Sequence, residues 1–561
     1  MTKLQIPVES TTLKNGLRVV ISSDHAAPFV TLGVYYNIGF RLEPQGRSGF
    51  AHLFEHMMFQ GSENAGKMVH IKLINSSGGV LNGSTRYDVT NYFEAVPSNA
   101  LERSLWLEAD RMRALKVDDE NLRNQRDVVK EEVRVNVFNQ PYGGFPWLDL
   151  PPVANRNWAN AHNFYGDFSD LDAATLADVQ NFFRTYYAPN NAVLLMLGDV
   201  QPDEGFRLAK KYFESIPAGK LPPDVDASEP PQSEERRGLV EEKFGTLPAL
   251  AIGYHAPKRR TADWHALAMV DQALHGGRAG RMFRSLVHDK QIAVETSGGI
   301  HYPMGDVFDY NGPMLMVTTI MHKPECSVDE TIAAYDAVIR EVQEKGIAAD
   351  ELAPLKVKFR SDYYSARSRH GRLHAALRPD ALSGLLHALR RRPHAGQQHS
   401  RRFSRRHARA GPIRRAKILG AQQPRHRRAP PGPACGKRGC LMASVPLGNL
   451  AAVPALAPLR PVVWPRRTRR TLANGMQVVL VESHTIPKFD AQLLIRRGNA
   501  STAQETAGLA EMTATVVRAG TTSRSLRQIE EDLRRMGADL STSAGADTSA
   551  IAFSGLSEFS E

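Results

Sequence analysis

Short apolar runs alternate with amphipathic stretches along the first two hundred residues. Residues 17–22 and 31–37 are rich in β-branched and aromatic side chains and read as strands. The stretch from Gly49 to Phe59 places polar side chains at helical spacing among apolar ones and reads as a helix. Residues 100–114 and 118–137 also read as helices, the second with Val128, Val129 and Val133 as its apolar face. Residues 175–187 form a further helix that leads into an apolar strand at 192–197. A Pro-, Asp- and Glu-rich stretch at 222–235 reads as a linker. Beyond it, a strand is expected at 249–254 and a helix at 266–274.

The pattern repeats. Thr12-Leu-Lys-Asn-Gly-Leu-Arg-Val-Val20 recurs as Thr471-Leu-Ala-Asn-Gly-Met-Gln-Val-Val479, and the offset holds without a gap to Gly61 and Gly520. His25 and His484, Pro28 and Pro487, Gly39 and Gly498, and Gly49 and Gly508 all fall on it. A constant offset over that span indicates a duplicated unit. The second copy runs to Glu561, far less than the span of the first.

At 561 residues the chain has room for about four domains. Hydrophobic residues at 42% and charged residues at 23% fit an ordinary globular protein and exclude a disordered or fibrous one. Three cysteines, Cys326, Cys435 and Cys440, give no disulfide framework. The first residues hold no apolar core of signal-peptide length, so the chain as written reads as cytoplasmic, or periplasmic if a leader precedes it. Residues 439–459 carry no charge, but Pro446, Pro454 and Pro458 make them a linker rather than a membrane span.

The net charge of +12 is concentrated in one place. Residues 367–438 hold 18 Arg and 2 Lys against the single acid Asp380, so the remainder of the chain is acidic overall. Three readings compete for this segment: a nucleic-acid or anionic-membrane binder, a disordered basic linker, or an out-of-frame stretch of a GC-rich gene. The last is favoured. Nucleic-acid binding is disfavoured because Phe403 is the only aromatic residue there apart from the histidines. The expected organisation is therefore a first domain at 1–220, a second at 237–365, the Arg-rich segment at 366–440, a Pro-rich linker at 441–469 and the start of the second repeat at 470–561.

The chemistry sits at His52-Leu-Phe-Glu-His56, a His-x-x-Glu-His pattern. On a helix, His52 and His56 share a face and can point at one metal ion, with Glu55 beside them as a proton-moving carboxylate. The competing reading is a half-buried helix with a solvated polar stripe. A catalytic zinc usually takes three protein ligands, and the third is expected on the helix containing Lys130-Glu-Glu132. Spacing alone does not separate Glu131 from Glu132.

These segments resemble the pitrilysin/insulinase family of zinc metallopeptidases, including the bacterial members similar to mitochondrial processing peptidase. The resemblance is carried by Gly49-Phe-Ala-His-Leu-Phe-Glu-His-Met-Met-Phe-Gln-Gly61, Gln125-Arg-Asp-Val-Val-Lys-Glu-Glu132, Gly78-Gly-Val-Leu-Asn-Gly-Ser-Thr85, Asn91-Tyr-Phe93 and Tyr187-Ala-Pro-Asn-Asn-Ala192. It implies an α+β fold of duplicated, mostly antiparallel sheet-plus-helix domains arranged as a clamshell. It implies one Zn2+ held by His52, His56 and Glu132, with Glu55 as general base, and so selects Glu132 over Glu131. Gln125 stands where many relatives carry a glutamate behind the ligands. Asn82, Gly83, Ser84 and Thr85 occupy the edge strand that binds a peptide or unfolded-protein substrate by backbone pairing. Without the resemblance, Gly78, Gly79 and Gly83 read equally well as hairpin glycines.

In the second copy, Glu511, Ala514 and Thr515 replace His52, Glu55 and His56. The first copy is thus the candidate zinc endopeptidase half and the second an inactive counterpart. The alternative is a non-catalytic subunit or fragment that keeps the fold and works only beside a homologous half.

Overall fold

Eight consecutive residues, Phe29–Tyr36, form a strand buried along nearly its whole length. It lies inside a six-stranded sheet of order β1-β2-β6-β3-β5-β4. Its members are β1 (Glu9–Thr12), β2 (Arg18–Ser23), β3 (Phe29–Tyr36), β4 (Val80–Thr85), β5 (Thr90–Pro97) and β6 (Ala192–Gly198). Only β2 and β6 pair in parallel; the other pairings are antiparallel. The structure is a computed structural model, and it describes residues 7–368 and 452–560 apart from 306, 308, 309, 462, 464 and 485.

Helices α1 (Phe50–Met57), α2 (Val69–Ser76), α3 (Leu101–Ala114), α4 (Asp119–Val133), α5 (Leu176–Tyr186) and α6 (Pro202–Phe213) accompany this sheet. Leu32, Val34 and Tyr36 of β3 and Leu194 and Met196 of β6 join Phe50, Leu53, Phe54, Leu105, Phe182 and Leu208 of the helices in one apolar core. Local sequence sets the helix starts. Asp118 caps α4 by accepting from Asn121 N, and Thr175 and Asp178 form a capping box on α5. Gly78, with φ of 79°, closes α2 before β4 begins. The hairpin reading of the 78–83 glycines is therefore corrected: Gly78 and Gly79 join a helix to a strand, while the β4–β5 turn lies at residues 86–89.

The second sheet has the order β7-β9-β8, all antiparallel, from β7 (Ala249–Ala256), β8 (Ala293–Ile300) and β9 (Met314–His322). Helices α7 (Ala262–His275), α8 (Val328–Lys345) and α9 (Ala349–Ser368) go with it. Residues 281–289 are helical, with π geometry over Phe283–Asp289, after a 3-10 turn at Gly277–Ala279.

The second copy comprises β10 (Arg467–Thr471), β11 (Gln477–Val481), β12 (Lys488–Ile495), α10 (Leu509–Val516), α11 (Leu526–Met536), β13 (Asp539–Ala544) and β14 (Ser549–Leu556). The duplication extends past the Gly61/Gly520 limit visible in the sequence. Lys488 pairs with Leu556 as Phe29 pairs with Pro97, and Asp539 pairs with Ser554 as Val80 pairs with Ala95. Gly16, Gly49 and Gly78 have φ of 87°, 82° and 79°; Gly475, Gly508 and Gly537 have 82°, 87° and 57°. The unit rests on α9 through Lys358–Asp539 at 3.1 Å and the contact of Arg360 with Glu558. Residues 454–460 run along the first sheet's domain, where Ala457 N donates to Asn99 O and Arg460 meets Asp199 at 2.6 Å. Residues 369–451, which include nearly all of the Arg-rich segment together with Cys435 and Cys440, lie outside the described residues. No described helix is long and apolar enough to cross a membrane.

Candidate metal centre

Helix α1 is short and has no capping side chain at its own N-terminus. Glu43 supplies one from a distance: its carboxylate accepts from Gly49 N at 2.9 Å and Ala51 N at 2.6 Å. These are helix-start donors that otherwise lack partners. Burial pushes the Glu43 carboxyl pKa up, against the hydrogen bond and charge of His162 and the two backbone donors. Gly49 itself has a left-handed φ, and a Cβ there would lie 2.3 Å from Tyr165 O. That close crossing brings Phe164 and Tyr165 onto α1. Their ring centroids lie 4.4 Å and 5.0 Å from that of His52.

The His-x-x-Glu-His pattern lies on α1, with His52 buried and His56 half-buried. Their Nε2 atoms are 3.3 Å apart. Glu132, on α4, places Oε2 at 3.0 Å from His56 Nε2 and 3.7 Å from His52 Nε2. Four ligands at tetrahedral angles, each about 2.0–2.1 Å from a zinc ion, stand roughly 3.3–3.4 Å from one another. The triangle drawn by these three atoms has sides of that size, so the donor set fits zinc. Glu131 turns away and pairs with Arg134 at 3.0 Å.

The electrostatics agree with ligation. Burial, reinforced by the charge of His56 and opposed by Glu132, lowers the His52 pKa to about 3. The imidazole is therefore neutral, the form that binds metal. Burial raises the Glu132 pKa, but the hydrogen bond to His56 and the charges of the two histidines outweigh it and hold the carboxyl below its ordinary value. Tyr165 Oη donates to Glu132 Oε1 at 3.3 Å. His52 Nδ1 and Glu55 Oε2 are buried without hydrogen-bond partners among the described residues.

Glu55 stands beside the triangle. Burial raises its carboxyl pKa, opposed by a hydrogen bond with Thr85 and the charge of His56. Asn82, Gly83, Ser84 and Thr85 all lie on β4, at the outer edge of the sheet. A Cβ on Gly83 would come within 3.2 Å of Glu55 Cγ and of Tyr92 Cδ1. The absence of a side chain at Gly83 leaves room for Glu55 against β4. Gln125 is buried on α4, two turns before Glu132, and makes no hydrogen bond to His52, Glu55, His56 or Glu132. Glu43, Phe164 and Tyr165 were not found from the sequence. The signal available for them was weak: the acid precedes α1 by a few residues, and the aromatic pair sits before Gly166, whose φ is 70°.

Two segments of the chain match a known protein family. Residues 18–141 match the family described as Insulinase (Peptidase family M16), and residues 173–357 match the Peptidase M16 inactive domain. Zinc protease PqqE of Helicobacter pylori is 29% identical over 367 residues, covering 64% of this chain and 79% of that protein. The probable mitochondrial-processing peptidase subunit beta of Arabidopsis thaliana is 30% identical over 207 residues, covering 37% of this chain but only 38% of its own length. The crystal structure of a protease from Helicobacter pylori superposes with a TM-score of 0.60 at 28% identity, over 68% of this chain and 89% of that one. The periplasmic protease PqqL from Escherichia coli superposes with a TM-score of 0.57 over 98% of this chain and 64% of that one; at 16% identity it speaks for the fold alone. With its duplicated sheet-plus-helix units and its two family segments, the chain belongs to the insulinase family of peptidases, family M16.

Proposed function

We propose that the chain is a zinc metalloendopeptidase that cuts peptides or unfolded polypeptide segments. His52, His56 and Glu132 hold the zinc and Glu55 is the general base. The observation that carries this reading is the triangle of 3.3, 3.0 and 3.7 Å between ligand atoms contributed by α1 and α4. Zinc held there supplies a Lewis acid that polarises a carbonyl and acidifies water. Glu55 takes the proton from the attacking water and passes it to the leaving amine nitrogen. Its burial suits it to both steps, because a raised pKa lets the carboxyl hold the proton between them. Tyr165 fixes Glu132, and Phe164 keeps water from the His52 ring.

Substrate pairs its backbone with the free edge of β4, along Asn82, Gly83, Ser84 and Thr85, which carries an extended chain past Glu55. Gln125 supports α4 from within the domain core and acts on the ligands only through the helix. In this reading the first domain (1–220) is catalytic and the second (237–365) is of the inactive type. The unit from 470 onward is of the inactive type, with Glu511, Ala514 and Thr515 at the positions of His52, Glu55 and His56.

A second reading, a non-catalytic subunit that needs a homologous half, draws on α10. There Glu511, Ala514 and Thr515 stand at the positions of His52, Glu55 and His56. The two readings separate in one experiment. The full chain is incubated with a reduced, carboxymethylated protein, with and without a zinc chelator, and fragments are read by mass spectrometry. Chelator-sensitive internal cleavage supports the peptidase. Cleavage only after addition of an intact inactive-half homologue supports the subunit, and no cleavage in either case contradicts both.

A further inference from the structure

The β4–β5 turn, residues 86–89, is held from several sides. Arg86 N donates to Val89 O at 2.8 Å, while Phe40 N and Arg41 N donate to Arg86 O and Tyr87 O at 3.1 and 3.0 Å. Gly39 lies so close that a Cβ there would stand 2.2 Å from Arg86 O. Tyr87 packs its ring on Phe40, with centroids 4.2 Å apart, and against the core of the second domain. Asp88 pairs with Arg41 at 3.1 Å and accepts from Asn311 N at 2.9 Å. Val89 is buried. Contacts from both domains thus fix the path of the backbone through the turn, and with it the place of Arg86.

Arg86 differs from the other three residues. Its side chain is half-buried, yet among the described residues its guanidinium makes no hydrogen bond and no ion pair. Five donors taken partly out of water with no acceptor in the protein are uncommon. The charge lies within electrostatic reach of the candidate base: burial raises the Glu55 carboxyl pKa, and Arg86 is one of the charges that oppose the rise. Arg86 also directly follows β4, the outer strand of the first sheet. It stands three residues past Gly83, against which Glu55 packs. An extended chain advances about 3.3 Å per residue. A peptide laid along β4 with its scissile bond at Glu55 therefore brings its second or third residue from that bond alongside Arg86.

We propose, resting on the peptidase reading above, that Arg86 is a specificity-determining residue that receives a carboxylate of the substrate, about two or three residues from the bond to be cut. Guanidinium and carboxylate meet as planar, bidentate partners, and the fixed turn lets them pair without ordering the protein backbone. The favoured substrates are peptides with an acidic group at that place. An Asp or Glu side chain supplies one on either side of the cut, whereas a chain terminus supplies one only on the C-terminal side.

The test uses the full, zinc-loaded chain and a random decapeptide library, acetylated and amidated at its ends, with cleavage sites read by mass spectrometry. Asp and Glu should be enriched about tenfold over neutral residues at one fixed position near the cut, the size expected of one charge-assisted pair. Arg86→Lys should keep a weaker enrichment. Arg86→Glu should replace it with enrichment of Lys and Arg at the same position. Should Arg86→Glu fail to fold, Arg86→Gln carries the test, because removal of the charge should abolish the enrichment. A second library with free C-terminal carboxylates separates the two sources of the group. Cuts concentrated two or three residues from that terminus, and dispersed in Arg86→Gln, assign the pairing to the terminus. Cleavage with no acidic or terminal preference, or with a preference that Arg86→Glu and Arg86→Gln leave unchanged, would overturn the role of Arg86 and leave the peptidase reading standing. Cleavage of neither library would overturn the peptidase reading, and the role of Arg86 with it.

Discussion

His56 Nε2 and Glu132 Oε2 lie 3.0 Å apart although they belong to helices separated by the whole of α2, β4, β5 and α3. The packing of α4 on α1 is therefore what completes the candidate zinc site, and the third ligand should be worth as much as either histidine. Glu132→Gln should weaken zinc binding by ~100-fold or more, beyond the 10–100-fold range of changes behind the ligands. Competition with a chromophoric chelator measures it. Glu131→Gln, whose parent pairs with Arg134, should leave zinc affinity unchanged.

Much of this was legible in the sequence. His52, Glu55 and His56 declare themselves by spacing, because a helix fixes which residues share a face. Glu132 does not, since its distance from α1 depends on how two helices pack; the resemblance selected it and the packing places it. Glu43 and Tyr165 were illegible for the same reason, as each acts through a loop whose path no local periodicity encodes. In the sequence the duplication is visible only to Gly61 and Gly520 because side-chain identities fade beyond them, while strand register and left-handed glycines persist to Leu556.

Glu43 should matter to folding more than its place before α1 suggests. Glu43→Gln keeps the shape but turns one acceptor into a donor facing a backbone N–H. A buried unsatisfied donor costs about 1–3 kcal/mol, so denaturant unfolding of the first domain should shift by that amount. Zinc stoichiometry in the folded variant should persist.

Gly83 has a packing role beside the candidate base. A methyl group there would press on Glu55 Cγ and Tyr92 Cδ1 at 3.2 Å. Gly83→Ala should lower kcat by about tenfold through displacement of Glu55, with zinc content unchanged. Metal analysis alongside steady-state kinetics separates this effect from loss of the site.

Away from the site, His70 on α2 contacts Glu94 on β5, and both are buried. Burial raises the Glu94 pKa to about 7, against the charge of Arg111. Its folded pKa is thus above its unfolded value of 4.5. The stability it contributes is present below pH 4.5 and is lost as pH rises through 7. Glu94→Gln should therefore gain stability relative to the parent between pH 4.5 and 7, by at most on the order of 3 kcal/mol. Urea unfolding at a series of pH values gives the difference directly. A gap between variant and parent that stays constant with pH would mean that Glu94 is ionised throughout.

Glu55 carries the proton transfers of the proposed hydrolysis. Glu55→Gln should retain one zinc per chain by elemental analysis while peptide hydrolysis falls by ~10²–10⁴-fold, the usual worth of a positioned general base. Hydrolysis at the parent rate in a zinc-loaded Glu55→Gln chain would contradict the assignment of Glu55, and with it the proposed mechanism.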